Sequence, residues 1–194
     1  MCWDAGENSF FMYASVVDEL IVKMPFSNFE IQLLEVLHLA PTQLHPNGWA
    51  FAKAFERFCR VRNLFCSVRV FLHMFRPYHP VFEKDSGKKY WVSLHGKQKY
   101  QIFKLFVDSW KDWKSSYFRY SFNGRGACWF KNSEGNPLFP LRWGLGFFDK
   151  ANRAGMQFPT NSLSAMEDPT TIAVKEFVEN KGTILCKDMF KVST

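Results

Sequence analysis

The sequence lacks any long uninterrupted hydrophobic run. A helix that crosses a bilayer needs about 20 consecutive apolar residues, and no segment of this 194-residue chain approaches that length. The first residues also lack the basic flank and the apolar stretch of a secretory signal. We therefore expect an intracellular protein without a membrane partner, and the choice between nucleus and cytoplasm stays open.

Cysteine is scarce, and its arrangement points to no special chemistry. Five cysteines are scattered along the chain without a C-x-x-C pair, which is not typical of a disulfide framework or a zinc ribbon. The five histidines share no i, i+4 pair, and none lies within four residues of a cysteine. We therefore expect reduced thiols and no metal site.

Motifs of nucleophilic catalysis and phosphate binding are also missing. The chain contains no G-x-S-x-G elbow, no G-x-x-x-x-G-K-S/T loop and no dinucleotide-binding glycine motif. Asp108 and Asp112 are four residues apart, but acids at that spacing on a short helix are usually just solvated. We expect no cofactor, no small-molecule substrate and no enzymatic activity.

Aromatic residues and positive charge are abundant. Aromatic residues make up 18% of the chain, and its formal net charge is +7. Residues 51–131 carry +12, whereas residues 1–50 carry −5 and residues 132–194 sum to zero. Such a block favours a polyanionic partner if its charges share one face. A solubilising lysine-rich surface is the alternative.

Basic and aromatic residues alternate in the middle of this block. Lysine and arginine side chains would contact phosphates while exposed aromatic rings stack on bases, so the pattern fits DNA or RNA binding. The same alternation is equally typical of strands with an aromatic core face and a basic solvent face. The candidate nucleic-acid-binding residues are Lys99, Lys104, Lys111, Lys114, Arg119 and Arg125.

The first third of the chain has the pattern of helices. Apolar residues recur at helical spacing from Ser9 to about Lys23, which predicts a first helix. Ser27 and Glu30 form a capping-box pattern that predicts the start of a second helix. Asn47 is the predicted N-cap of a third helix. A fourth, shorter helix over residues 68–75 ends before a proline.

The middle of the chain changes to a strand pattern. Residues 90–94 and 100–103 are predicted strands around a turn that contains Gly96. Further strands are predicted at residues 117–122 and 127–130. The Asn-Gly dipeptide between them is a strong hairpin signal.

These elements together predict an α+β fold, mainly α, with N-terminal helices, a small central antiparallel sheet and a C-terminal helix. Residues 1–148 would form one domain, with a helical part at 9–76 and a β-rich basic part at 88–143. Residues 149–194 would form a linker and the C-terminal helix, which Asp168 and a following proline open.

Five ordered motifs run through the chain and resemble those of one family, the gypsy-type transposon domain of plants. In this sequence they are P-T-Q-L-H-P-N-G-W at 41–49, W-V-S-L at 91–94, S-W-K-D-W-K-S-S-Y-F-R-Y at 109–120, W-F at 129–130 and F-P-L-R-W at 139–143. The match extends from about Phe10 to Trp143.

The resemblance implies a retroelement origin but no catalytic residues. Family members look like open reading frames of plant retroelements and are often labelled transposases, without an established activity. They commonly continue into a long coiled coil, and because this chain shows no heptads, we expect a fragment or a degenerate copy. The matching residues that we expect to be structural are Pro41, Gln43, Leu44, His45, Pro46, Asn47, Trp49, Trp91, Trp113, Trp129, Phe130 and Trp143.

Three functional readings follow from the sequence. The first is a non-enzymatic, retroelement-derived module that binds nucleic acid through the basic block or assembles with copies of itself. The second is a transposase or integrase-like enzyme, as the family label suggests. The third is a host protein-interaction domain, or a relic without a function.

Overall fold

We describe the protein from a computed structural model, which covers residues 9–78, 91–104, 110–121, 129–144, 163 and 167–190. The helices are α1 (Ala14–Asp18), α2 (Asn28–Leu37), α3 (Pro46–Val61), α4 (Val68–Met74), α5 (Asp168–Lys181) and α6 (Cys186–Phe190). The strands are β1 (Ser9–Tyr13), β2 (Phe75–Tyr78), β3 (Ser93–Gly96), β4 (Phe103–Lys104), β5 (Tyr117–Ser121) and β6 (Ile184–Leu185). The fold is mixed α+β and mainly α, as predicted.

Helix α2 begins with the predicted capping box. The Glu30 backbone N–H donates to Ser27 Oγ at 3.2 Å, and the Ser27 backbone N–H donates to Glu30 Oε2 at 2.7 Å. Two of the N–H groups that every helix start leaves without intrahelical partners are thereby satisfied. The helix ends at Leu37 because His38 adopts a left-handed conformation with φ of 50°.

Helix α3 begins two residues earlier than predicted, and Asn47 is not its N-cap. Pro46 occupies the first helical turn, where its fixed φ is favourable and its missing N–H costs nothing. His45 is therefore the N-cap, and its Nδ1 accepts a hydrogen bond of 3.1 Å from the Asn47 backbone N–H. The Asn47 side-chain oxygen instead accepts a hydrogen bond from Trp110 Nε1.

The predicted first helix is wrong over its N-terminal part, which forms strand β1. β1 pairs antiparallel with β5, with Ser9 opposite Ser121 and Tyr13 opposite Tyr117. Helix α1 then covers only five residues. A partner strand more than a hundred residues away outweighs the helical spacing of the local sequence.

The strands form three separate pairs in the described residues. β1–β5 and β2–β3 are antiparallel, and β4–β6 is parallel. The predicted pairing around Gly96 is therefore wrong, because β3 pairs with β2. After β3, the Lys97 N–H donates to the Met74 carbonyl at 2.8 Å. A short 3-10 turn over Gln98–Tyr100 then brings Tyr100 Oη to 2.9 Å from His73 Nε2.

Two further strand and helix boundaries differ from prediction. Helix α4 ends at Met74, and Phe75 is already the first residue of β2. Trp129 and Phe130 lie in a 3-10 turn and not in a strand. The predicted Asn-Gly hairpin and almost all of the predicted linker fall outside the described residues.

Helix α5 confirms the predicted C-terminal helix and packs against the N-terminal half of the chain. The Phe58 and Phe177 rings meet edge to face at 5.7 Å, and Thr170 Oγ1 donates to the Phe65 carbonyl at 2.9 Å. The Ile184 N–H donates to the Ile102 carbonyl at 2.7 Å, which attaches β6 beside β4. The sequence predicted neither β6 nor α6.

The core is built mainly from aromatic side chains of β1, α2, α3 and α4. Phe26 stacks on Trp49 at 5.4 Å, and Phe29 meets Phe71 at 5.6 Å. Such ring pairs stabilise beyond the apolar area they bury. Among the described residues, no helix is long and apolar enough to cross a membrane.

Candidate functional site

We call the segment Pro41–Trp49 the PTQ turn. On one side its backbone is hydrogen-bonded to the W-V-S-L segment at residues 91–94. The Val92 N–H donates to the Gln43 carbonyl at 2.7 Å, and the His45 N–H donates to the Val92 carbonyl at 2.8 Å. These two backbone hydrogen bonds form a parallel bridge between Leu44 and Val92. Two motifs that are far apart in the sequence therefore meet directly.

The same turn is bound by the end of the F-P-L-R-W motif. Gln43 Nε2 donates to the Gly144 carbonyl at 2.7 Å, and the Gly144 N–H donates to Gln43 Oε1 at 3.3 Å. Trp143 Nε1 donates to Thr42 Oγ1 at 2.9 Å. A buried amide that both donates and accepts in this way fixes the position of the neighbouring backbone. These contacts give Gln43 and Trp143 a structural role.

Most of the remaining motif residues belong to the core. Trp49 is fully buried, and its Nε1 donates to the Pro41 carbonyl at 3.2 Å. The Trp129 and Phe26 rings pack edge to face with their centres 5.5 Å apart. The Phe130 and Phe10 rings do the same with their centres 6.4 Å apart. Pro41, Leu44 and Pro46 are buried as well.

The other motif residues open onto a cleft between the start of α3, strand β3 and the segment at 110–115. We call it the aromatic cleft, and its volume is about 530 Å³. Its lining contains no carboxylate among the described residues. The ring side chains that line it are His45, Phe51, Tyr78, Trp91, His95, Trp110 and Trp113.

The rings of the cleft hold one another in place. The centre of a Trp113 ring lies 4.8 Å from that of His45 and 4.6 Å from that of Tyr13, and both contacts are edge to face. Trp91 lies 4.9 Å from the His45 ring and 6.3 Å from Trp113. The geometry of the two indoles is therefore set by contacts with each other, with His45 and with the buried Tyr13.

Lys114 places a positive charge over these two indoles. Its Nζ lies 4.9 Å from the centre of the Trp113 ring and 5.8 Å from that of Trp91. Both distances are within the range in which a cation is attracted to an aromatic face. The cleft therefore has an aromatic wall with an ammonium group at its edge.

His45 is neutral in this setting. Burial, followed by the positive charges of Lys114 and His95, lowers its pKa from 6.5 to about 4. Because Nδ1 accepts the hydrogen bond from the Asn47 N–H, the proton of the neutral ring is on Nε2. Burial also raises the pKa of Tyr13 far above its ordinary value, so that phenol stays protonated.

The predicted basic residues lie on several elements, and one of them reaches the cleft. Lys111 and Lys114 belong to the turn at 110–115, Lys99 to the 3-10 turn and Lys104 to β4. Arg119 lies on β5, where its Nε donates to Ser9 Oγ at 3.3 Å. All five are exposed, and Arg125 lies outside the described residues.

The structure adds one cationic residue, Arg76, beside the cleft-lining His95, and sequence reasoning missed it. Arg76 lies opposite His95 in the β2–β3 pair. His95 in turn stacks on Tyr78 at 4.8 Å. Burial and the charge of Arg76 together lower the pKa of Lys97, so those two cations are close in space. No sequence signal showed that residues 75–78 form a strand beside 93–96.

The buried acids are held by partners away from the cleft. Glu30 and Glu56 lie 3.1 Å and 3.2 Å from Lys53 Nζ. Glu167 accepts a hydrogen bond from Ser67 Oγ. In the part of the chain that the structure describes, no three His, Cys, Asp or Glu side chains form a group suited to a metal ion.

Comparisons of the chain with protein-family models, with curated proteins and with solved structures gave no match.

Proposed function

We propose that the protein is a non-enzymatic, retroelement-derived module that binds nucleic acid through its basic central segment. The observation that carries this proposal is the position of Lys114 over the Trp91 and Trp113 rings, at the edge of a cleft whose described lining residues include no carboxylate. An ammonium beside partly exposed aromatic rings is the combination that holds a phosphate and its base together.

The charges of this segment are available to a partner. Residues 91–121 contain six lysines and arginines and two aspartates. Among the described residues, no carboxylate forms an ion pair with the four lysines of this segment other than Lys97, which are Lys99, Lys104, Lys111 and Lys114. Lys53, by contrast, is held between Glu30 and Glu56. Cations that are exposed and unpaired contribute to phosphate binding at little desolvation cost.

Charge reversal at the cleft tests this proposal. We expect Lys111→Glu/Lys114→Glu to weaken binding of a labelled single-stranded oligonucleotide by at least about tenfold at low salt, because two phosphate contacts become repulsive. The matched control is Lys23→Glu/Lys181→Glu, which changes the net charge equally at exposed positions of other elements. Fluorescence anisotropy measures the affinity, and circular dichroism with a thermal melt checks the fold of each variant.

Equal losses in the two double variants would contradict the proposal, because the effect would then come from net charge alone. Light scattering on the free protein separates nucleic-acid binding from self-assembly. A defined oligomer that binds no oligonucleotide at low salt would support self-assembly instead.

A further inference from the structure

We infer that the aromatic cleft takes one unstacked nucleobase of a single-stranded nucleic acid, with the adjoining phosphate at Lys114. This inference rests on the proposed function and specifies which form of nucleic acid is bound and where. Its central observation is the juxtaposition of the indole faces, the ammonium of Lys114 and a cleft of about 530 Å³.

The size and lining of the cleft suit a flat aromatic ligand. Its volume lies within the range of about 300–1,000 Å³ that is typical of small-molecule sites, which are mostly apolar with a few polar groups. Asn47, Ser93 and Gln101 supply polar groups beside the rings. A nucleobase presents a π-face to the indoles and a hydrogen-bonding edge to such groups.

The charge of the cleft selects against a cationic ligand. Aromatic cages bind methylated ammonium groups through ring faces, and a second cation beside those rings repels such a ligand. Here the Trp91 and Trp113 faces already have Lys114 beside them. No carboxylate among the described lining residues offsets that charge. A ligand with a neutral ring and a negative phosphate fits both features.

The rings are positioned before any ligand binds. Trp110 is held by the oxygen of Asn47, and Trp113 is held between His45 and Tyr13. A neutral His45 adds no further charge to the wall at physiological pH. Preorganised rings reduce the entropic cost of binding.

A base must leave its stack before it can enter such a cleft. In a duplex both faces of each base are covered, and extrusion of one base costs a few kcal/mol in unstacking and unpairing. Single strands avoid that cost. The cleft is therefore expected to prefer single strands over duplexes of the same length and charge.

Three oligonucleotides of matched phosphate number test the inference. They are an eight-residue oligothymidine, an abasic strand of the same length and a short duplex. We expect the oligothymidine to bind at least about tenfold more tightly than the abasic strand and to quench the tryptophan fluorescence, since base stacking on aromatic side chains is a large term. The duplex is expected to bind more weakly than the oligothymidine.

A substitution in the cleft identifies the stacking position. Trp91→Leu should reduce the preference for the oligothymidine over the abasic strand at least about fivefold. Trp143→Leu is the matched control, because Trp143 is half-buried and donates to Thr42 outside the cleft. The comparison of strands on the unsubstituted protein stands even if a variant fails to fold.

The outcomes separate this inference from the proposed function. Equal affinity for the oligothymidine and the abasic strand would overturn base insertion and leave phosphate binding intact. Duplex binding as tight as single-strand binding would also overturn it, as would a Trp91→Leu protein that keeps the full preference. Absence of binding to all three at low salt would overturn the proposed function as well.

Discussion

His45 links the start of α3 to the pH dependence of stability, and the variant His45→Asn tests that link. Asparagine is among the best N-cap residues, so the acceptor for the Asn47 N–H is retained while the titrating ring is removed. In the folded protein the pKa of His45 is lowered from 6.5 to about 4, first by burial and then by Lys114 and His95.

The sign of the effect follows from proton binding. Between about pH 4 and 6.5 the unfolded chain binds a proton at His45 that the folded protein does not. Acidification through this window therefore favours unfolding, and the free energy of unfolding falls as the pH falls. The imidazole is partly exposed, so we reduce the full linkage energy for solvent screening and expect a loss of about 2 kcal/mol.

Urea unfolding at several pH values between 4 and 7.5, at constant ionic strength, measures this loss. The carboxylates titrate in both proteins, so their contribution cancels in the difference between wild type and His45→Asn. Lost ring contacts with Trp91 and Trp113 add an offset that does not depend on pH. We expect the wild type to lose about 2 kcal/mol relative to the variant on acidification. Two parallel stability curves would refute the assignment of a half-buried, neutral His45.

Two further substitutions probe the core and the ion pairs of the half-buried Lys53. Trp49→Ala should lower the free energy of unfolding by about 3–5 kcal/mol, because it leaves a cavity and removes the donor to the Pro41 carbonyl. Urea unfolding measures this loss, and a loss below about 1 kcal/mol would contradict the packing of Trp49 in the core. Lys53→Met should cost about 3 kcal/mol at pH 7, because it leaves the buried carboxylate of Glu30 without its ion pair. Burial raises the pKa of Glu30, so acidification protonates its carboxyl and part of the lost free energy of unfolding should be recovered. A loss that grows at low pH would contradict the ion pair between Lys53 and Glu30.

Local signals in the sequence predicted the helices well. The capping box of α2 depends only on Ser27 and Glu30, and it formed as expected. At α3 two local signals competed, and the preference of Pro46 for the first helical turn moved the cap from Asn47 to His45. The starts of α2 and α3 were therefore predictable to within two residues, whereas that of α1 was not.

Strand pairing was not predictable in the same way. β1 has apolar residues at helical spacing, and its partner β5 is more than a hundred residues away. β4 pairs with β6, which lies beyond the C-terminal helix. No local pattern encodes such partners, because the pairing energy comes from long-range contacts.

The candidate site was predicted in part. His45, Trp91 and Trp113 stood out as members of ordered motifs, and Lys114 as part of the basic segment. Their convergence could not be read from the sequence, because it depends on the bridge between the PTQ turn and Val92. Arg76 had no signal, since its closeness to the cleft comes from the β2–β3 pairing.

The most direct test of nucleic-acid binding is the affinity for a single-stranded oligonucleotide across a salt series. We expect log affinity to fall linearly with log salt concentration, by about 0.7 for each phosphate contacted. Lys111→Glu/Lys114→Glu should make that slope shallower by about 1.4, the value for two lost contacts. Absence of binding at low salt, or an affinity that does not change with salt, would contradict a phosphate-binding role for the basic segment.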